Sequence, residues 1–343
     1  MSSIVAAIRA SLPAPSFAFH CSKRRYLASL ASLRSIEITE LLRECGLPVS
    51  GTKSEKIERL KARLRKLRDL GMLRSSHNEA QATSPRSEDE ALRRAIVPEQ
   101  VVSIDIGFRN MAVVHLSRDR EILDWKRVEL LPEARFEPWD LAKRVHSFCA
   151  EHLPRVPVHL GTYIIEHQRF RTQGSSAVAN AVMINNIIEA LIYANLGQFD
   201  VEVEAINPAT VSTYFGFPAA GSTALRNKKG ESAGGARNLT KKRAATVIVK
   251  SWLEPWTNGD DSSVRDTTRD PPPSASSSAS AVPLMPLKAD VKWAAFLKSE
   301  RKKDDLSDSL LQAMAWLDWQ TNAINAVKQY MDPIDIKHMV GDA

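Results

Sequence analysis

Five acidic residues of this 343-residue chain stand where acids are costly. Asp105 interrupts the apolar run VVSIDIG, Glu166 closes the run YIIE, and Asp304, Asp305 and Asp308 open a helical pattern carried by Leu306, Leu310, Leu311, Met314 and Leu317. An ionised carboxylate taken out of water without a partner costs several kcal/mol, so each position calls for compensation. On a helix, Asp308 shares a face with Asp304 at i+4 or with Asp305 at i+3, and two carboxylates then project toward one point. Mg²⁺ takes a few hard oxygen donors and keeps several waters, so the chemistry on offer is that of a bound divalent metal. Each acid also has a plainer reading. Asp105 can cap the turn at Gly107 or Asn110, Glu166 can face solvent from an edge strand, and the Asp304 to Asp308 group can complement a helix macrodipole. Their recurrence on three separate apolar elements favours a shared site.

The elements that carry these acids read as an α/β domain. VVSIDIGFRNMAVVHL gives two strands around Gly107, and ILDWKRVEL a third. A helix over PWDLAKRVHSFCAEHL, the strand TYIIEHQ, the long helix SSAVANAVMINNIIEALIYANL and the strand VEVEAINP follow. Strands succeeded by strand-helix alternation imply a mixed sheet flanked by helices. The closing stretch VKWAAFLKSERKKDDLSDSLLQAMAWLDWQ is a strongly patterned helix bearing the last acids. This domain is expected over 98–335, with disordered insertions around 218–237 and 256–287 flanking a helix over NLTKKRAATVIVKSWL.

Upstream, 1–34 is basic, Ser-rich and free of acid, the pattern of a mitochondrial transit peptide. Residues 35–70 read as two short helices about Gly46-Leu47-Pro48, and 71–97 as a polar linker. No apolar run approaches the roughly 20 residues of a membrane span. The net charge of +7 favours a polyanionic partner. Cys21, Cys45 and Cys149 lie too far apart for a Cys-x-x-Cys zinc site, and no disulfide framework is expected.

Asp-x-Gly on the first strand, Glu on the fourth and paired Asp on the final helix resemble the RNase H-like nuclease layout, shared by RuvC-type resolvases. More closely, IDIGFRNMAV, IIEHQRFR, INPATV and KKDDLSDSLLQA are similar to motif blocks of the fungal mitochondrial cruciform-cutting endonucleases, the match running from about Ile36 to Trp319. The turn at Gly46, with Gly51 and Lys53, resembles the SAP motif, a small helical DNA-binding unit. An actin-like ATPase also opens on Asp-x-Gly, but its second such turn is missing after Asp105.

The resemblance implies a structure-selective endonuclease that resolves four-way (Holliday) DNA junctions in the mitochondrial matrix, with nucleoid DNA. Two Mg²⁺ per site, replaceable by Mn²⁺, would be held by Asp105, Glu166, Asp305 and Asp308, with the choice between Asp304 and Asp305 left open by spacing. Arg109, Asn110, Gln168, Arg169, Arg171, Lys241, Lys242, Lys302, Lys303 and Lys53 are the expected DNA contacts. Paired incisions imply a homodimer, its interface on the helix from Ser176 to Leu196 or on the C-terminal helix with Trp316 and Trp319. Two other readings keep the fold: a non-catalytic nucleoid DNA-binding protein, and an RNase H-type hybrid nuclease.

Overall fold

The computed structural model describes residues 30–78, 87–107, 109–131, 136–168, 176–217, 233–253 and 287–340. The expected transit peptide, except for residues 30–34, and the segments 218–232 and 256–286 of the expected insertions lie outside them. No described helix is long and apolar enough to cross a membrane.

Five strands form one mixed sheet in the order β3-β2-β1-β4-β5. They are β1 (Gln100–Ile106), β2 (Asn110–Ser117), β3 (Ile122–Glu129), β4 (Gly161–Glu166) and β5 (Glu202–Ile206). The first three make an antiparallel meander; β4 lies parallel to β1, and β5 parallel to β4. Helices α4 (Pro138–His152) and α5 (Ser176–Leu196) cover one face. There Val102, Ile104, Ile106, Tyr163 and Ile165 pack with Leu141, Val145, Ile188 and Ile192.

The other face holds the larger core. Val101, Ala112, Val114, Trp125, Ile164 and Ile206 pack there with helix α9 (Lys303–Tyr330). From Leu306 to Gln320 only Asp308 escapes burial, so this helix is wrapped on all sides. The remaining helices are α1 (Ser35–Glu44), α2 (Lys53–Asn78), α3 (Glu88–Ile96), α6 (Pro208–Tyr214), α7 (Ala233–Leu253), α8 (Val291–Ser299) and α10 (Pro333–Val340).

The N-terminal region departs from expectation. Residues 71–78 continue α2, a single helix of 26 residues, and α3 occupies residues 88–96 of the stretch expected to be a linker. Leu60, Leu64 and Leu67 of α2 and Leu92 and Ile96 of α3 belong to the same buried cluster as α9. The polar letters of 71–97 misled because Arg74, almost fully buried, donates to the carbonyls of Ala95 and Ile96 at 3.0 and 2.8 Å. The final helix is also interrupted, with α8 and α9 meeting at Glu300–Lys302. Helix α7 begins at Ala233, inside the stretch expected to be disordered.

Candidate active site

Strand alternation fixes which way the first two acids face. In β1, Val102, Ile104 and Ile106 enter the α4–α5 core, so Ser103 and Asp105 point to the α9 face. Asp105 pairs across the ladder with Ala112, a residue of that face. In β4, Tyr163 and Ile165 enter the α4–α5 core, while Ile164 and then Glu166 face α9; Glu166 pairs with Ile206. The β1–β4 ladder ends at Ile104↔Ile165. The next residues on these two parallel strands are Asp105 and Glu166, neighbours at about the 4.8 Å strand spacing. Both are half-buried.

Hydrogen bonds from β3 and to β4 fasten helix α9 across this face. The Trp125 indole N–H donates to the Leu306 carbonyl at 3.2 Å, and the Gln312 amide donates to the Ile164 carbonyl at 3.4 Å. Gln312 therefore marks the side of α9 turned toward β4. At about 100° per residue, Asp305 and Asp308 lie about 20° and 40° from that direction, and Asp304 about 80° away. Helix geometry thus separates the two aspartates that spacing could not.

The start of α9 is also tied from β3. Arg127 sits on the rung Asp105–Ala112–Arg127 and on the same face. Its guanidinium donates to Asn110 Oδ1 at 2.7 Å and to Glu300 Oε2 at 3.2 Å, joining the turn after β1 to the junction just before α9. Beneath Asp105, the buried Ser103 hydroxyl has no hydrogen-bond partner among the described residues.

Oxygen donors from two strand ends and one helix turn suit a divalent ion that keeps part of its water shell. Among the described residues, no three Asp, Glu, His or Cys side chains close around one point. The donors share a face without forming a finished cage. Each of Asp105, Asp304, Asp305 and Asp308 has a polar or electrostatic partner in this state.

The expected DNA contacts divide. Arg109 and Lys302 are exposed near the site, at the turn after β1 and the cap of α9. Asn110 is not an outward contact: it is buried, and its amide oxygen is taken by Arg127. Gln168 turns inward, its amide N–H reaching toward the carbonyls of Ile106 and Glu166 at 3.5 and 3.4 Å. Lys303 donates to the Lys298 carbonyl at 2.8 Å, and Lys53 to that of Ala31 at 2.9 Å. Arg169 and Arg171 lie outside the described residues, as do the side chains of Lys241 and Lys242 on α7.

Trp316 and Trp319 are each 2% exposed, which removes them as a surface for a second subunit. Two basic residues of α2 are engaged by β5: Arg63 pairs with Glu204 at 3.0 Å and Lys66 with Glu202 at 2.5 Å. Sequence reading overlooked Arg127, Gln312 and Glu189. Only the strand register and the helix packing reveal what they touch.

A family model described as "Mitochondrial resolvase Ydc2 / RNA splicing MRS1" matches residues 101–326, about two thirds of the chain. The chain belongs to that family. The matched span starts on β1 and ends within α9, so it contains all five candidate acids. The five-stranded mixed sheet flanked by helices accords with the RNase H-like expectation. Membership makes a junction-resolving endonuclease, a nuclease acting on DNA phosphodiester bonds, the activity to be accounted for.

Among solved structures, the yeast mitochondrial Holliday junction resolvase Ydc2 aligns at 18% identity over 87% of this chain and 99% of its own, with a TM-score of 0.47. T. thermophilus RuvC in complex with a Holliday junction substrate aligns at 13% identity over 67% of this chain and 96% of its own, with a TM-score of 0.34. A further Thermus thermophilus RuvC structure gives 14% identity over 63% and 93%, with a TM-score of 0.33. No curated protein matches significantly.

Proposed function

We propose that the protein is a structure-selective endonuclease that resolves four-way DNA junctions in mitochondria by Mg²⁺-dependent hydrolysis of phosphodiester bonds. One observation carries this reading. Asp105 and Glu166 stand side by side on the sheet face that α9 crosses, with Asp305 and Asp308 turned toward the same strands, in a chain of a resolvase family.

Asp105, Glu166, Asp305 and Asp308 would hold the metal, two ions in the arrangement the resemblance implies, with Mn²⁺ as a substitute. Bound there, Mg²⁺ supplies Lewis-acid stabilisation of charge on the phosphate and lowers the pKa of a coordinated water. The protein's own part is placement. Trp125 and Gln312 fix α9 over the sheet, and Arg127 ties the α8–α9 junction to the end of the meander. Arg109 and Lys302, exposed near these acids, offer positive charge to a passing DNA backbone. Arg169 and Arg171 follow β4 closely in sequence and extend that role in this reading.

Paired cuts in a two-fold symmetric junction call for a C2 homodimer. Of the two helices considered, α5 retains an exposed apolar side chain in Met183, 47% accessible, and we assign the interface to it. The acid-free basic segment 1–34 and the mitochondrial description of the family support a matrix location with nucleoid DNA.

A second reading comes from the family description itself, which includes an RNA-splicing protein. Such a protein needs nucleic-acid binding without hydrolysis, and the four acids turned to one face speak for cutting. The test is cleavage of a labelled synthetic junction in Mg²⁺ beside linear duplex and RNA-DNA hybrid. Symmetric paired cuts confined to the junction are expected. Binding without cuts would favour the splicing or nucleoid-binding reading, and preferential hybrid cleavage an RNase H-type enzyme.

A further inference from the structure

The β4 exit is held by a buried acid that the proposed hydrolysis does not use. Glu189 on α5 is 7% exposed, and both of its oxygens are engaged by the two residues that follow Glu166. Its Oε1 meets His167 Nδ1 at 3.0 Å, and its Oε2 accepts the Gln168 backbone N–H at 3.0 Å. A buried carboxylate is retained only when its partners offset the cost of desolvation. Here those partners are the chain segment leaving the candidate site.

The same segment is gripped from two more directions. The His167 backbone N–H donates to the Ile206 carbonyl at 2.8 Å, carrying the β4–β5 pairing one residue past Glu166. The Gln168 side-chain oxygen accepts from Asn185 Nδ2 at 3.2 Å, while its amide reaches toward the ends of β1 and β4. Asn185 and Glu189 are four residues apart and therefore on one side of α5. One helix thus clamps the strand exit that carries Glu166 and leads into Arg169 and Arg171.

We infer that Glu189 is a positioning residue. It fixes residues 166–168 so that the Glu166 carboxylate is presented to the metal from beside Asp105. This rests on the nuclease reading, with Glu166 as a metal ligand. Groups behind metal ligands set ligand orientation, and their loss typically costs about 10- to 100-fold in metal affinity or activity. The structure also predicts which substitution is tolerated. In Glu189→Gln, the amide oxygen still accepts the Gln168 N–H and the amide N–H donates to His167 Nδ1 in its other tautomer, so both contacts survive. Glu189→Asp is one methylene shorter, which draws the carboxylate back from both partners, and Glu189→Ala keeps neither contact.

The experiment uses the full chain and three measurements: Mn²⁺ binding by calorimetry without DNA, hydrogen exchange across residues 164–168, and steady-state junction cleavage at saturating metal with the junction concentration varied. Glu189→Ala is expected to weaken Mn²⁺ binding by about 10-fold or more, accelerate exchange in that segment and lower kcat more than it raises KM, with Glu189→Gln close to wild type. Glu189→Asp is expected to fall between them. It also carries the test should the alanine variant fail to fold. Wild-type Mn²⁺ affinity and exchange in a folded alanine or aspartate variant would overturn the assignment, as would a glutamine variant no better than alanine. A wild-type protein that binds Mn²⁺ in a Glu166-dependent way yet cuts no junction would sink the nuclease reading while leaving the positioning role standing. Loss of both Mn²⁺ binding and cutting in wild type would remove the two together.

Discussion

Gly46, in the turn between α1 and α2, lies against the indole of Trp319 on α9 so closely that a β-carbon there would stand 2.2 Å from Trp319 Cδ2. Its φ of +68° is one that side-chain-bearing residues rarely adopt. The turn between α1 and α2 is thus built onto the helix that bears Asp305 and Asp308. Gly46→Ala is expected to destabilise the protein by about 2 kcal/mol or more, from overpacking together with backbone strain, read as a shift in the denaturant midpoint. Since α2 contributes Leu60, Leu64 and Leu67 to the α9 core, deletion of residues 35–70 is expected to abolish cleavage even at saturating enzyme. A deletion that keeps full saturated turnover would show that α1 and α2 serve affinity alone.

The Arg63–Glu204 pair joins α2 to β5, and its titration gives stability a pH dependence. Burial by itself would raise the Glu204 carboxyl, but Arg63 at 3.0 Å and Lys66 at 3.6 Å outweigh it and hold it below the ordinary glutamate range. A carboxyl depressed in the folded state stabilises fully above its unfolded value of about 4.3, and that contribution is lost as pH falls through the lower folded value. Thermal stability is therefore expected to drop on acidification below about pH 4, with a smaller drop in Glu204→Gln. At pH 7 that variant, leaving Arg63 buried and unpaired, is expected to lose about 2–3 kcal/mol. An unchanged acid limb in Glu204→Gln would place the titration elsewhere.

Helix geometry ranks the aspartates of α9. Asp305→Asn and Asp308→Asn are each expected to reduce junction cleavage by more than about 100-fold, since in the proposed site they remove metal ligands rather than groups behind them. Asp304→Asn, rotated away from β4, is expected to cost much less. Single-turnover rates across the three variants decide the ranking, and an Asp304 variant as inactive as Asp305 would reverse it.

Burial disfavours the thiolate at both described cysteines. Burial pushes both Cys45 and Cys149 up to about 12, leaving about one thiolate in ten thousand at pH 8. Native protein is expected to react with a disulfide reagent at these positions only on unfolding, as peptide mapping would show. Rapid native labelling of Cys45 would mean that the α1–α9 contact opens.

The sheet and the placement of the acids on β1, β4 and α9 were legible because their signals are local. VVSIDIG and YIIE each place one carboxylate at the end of an apolar run, and Leu306 to Leu317 repeat at helical spacing after a pair of aspartates. Arg74 and Arg63 were not legible. Both read as solvated charges, and only the burial of α2 against α3 and β5 gives them partners. Asn110 looked like a turn residue free for DNA, yet it answers Arg127, 17 positions away. Glu189 was hidden for the same reason: its value lies in contacts with His167 and Gln168 that no sequence spacing displays.

The most direct test compares wild type with Asp105→Asn on one labelled four-way junction, following binding and cutting together in Mg²⁺. The arrangement predicts that the variant binds the junction with near wild-type affinity and makes no paired cuts, because Asp105 supplies a donor to the site rather than a contact to the DNA. Paired cuts at the wild-type rate by Asp105→Asn would mean that hydrolysis takes place somewhere other than the face shared by β1, β4 and α9.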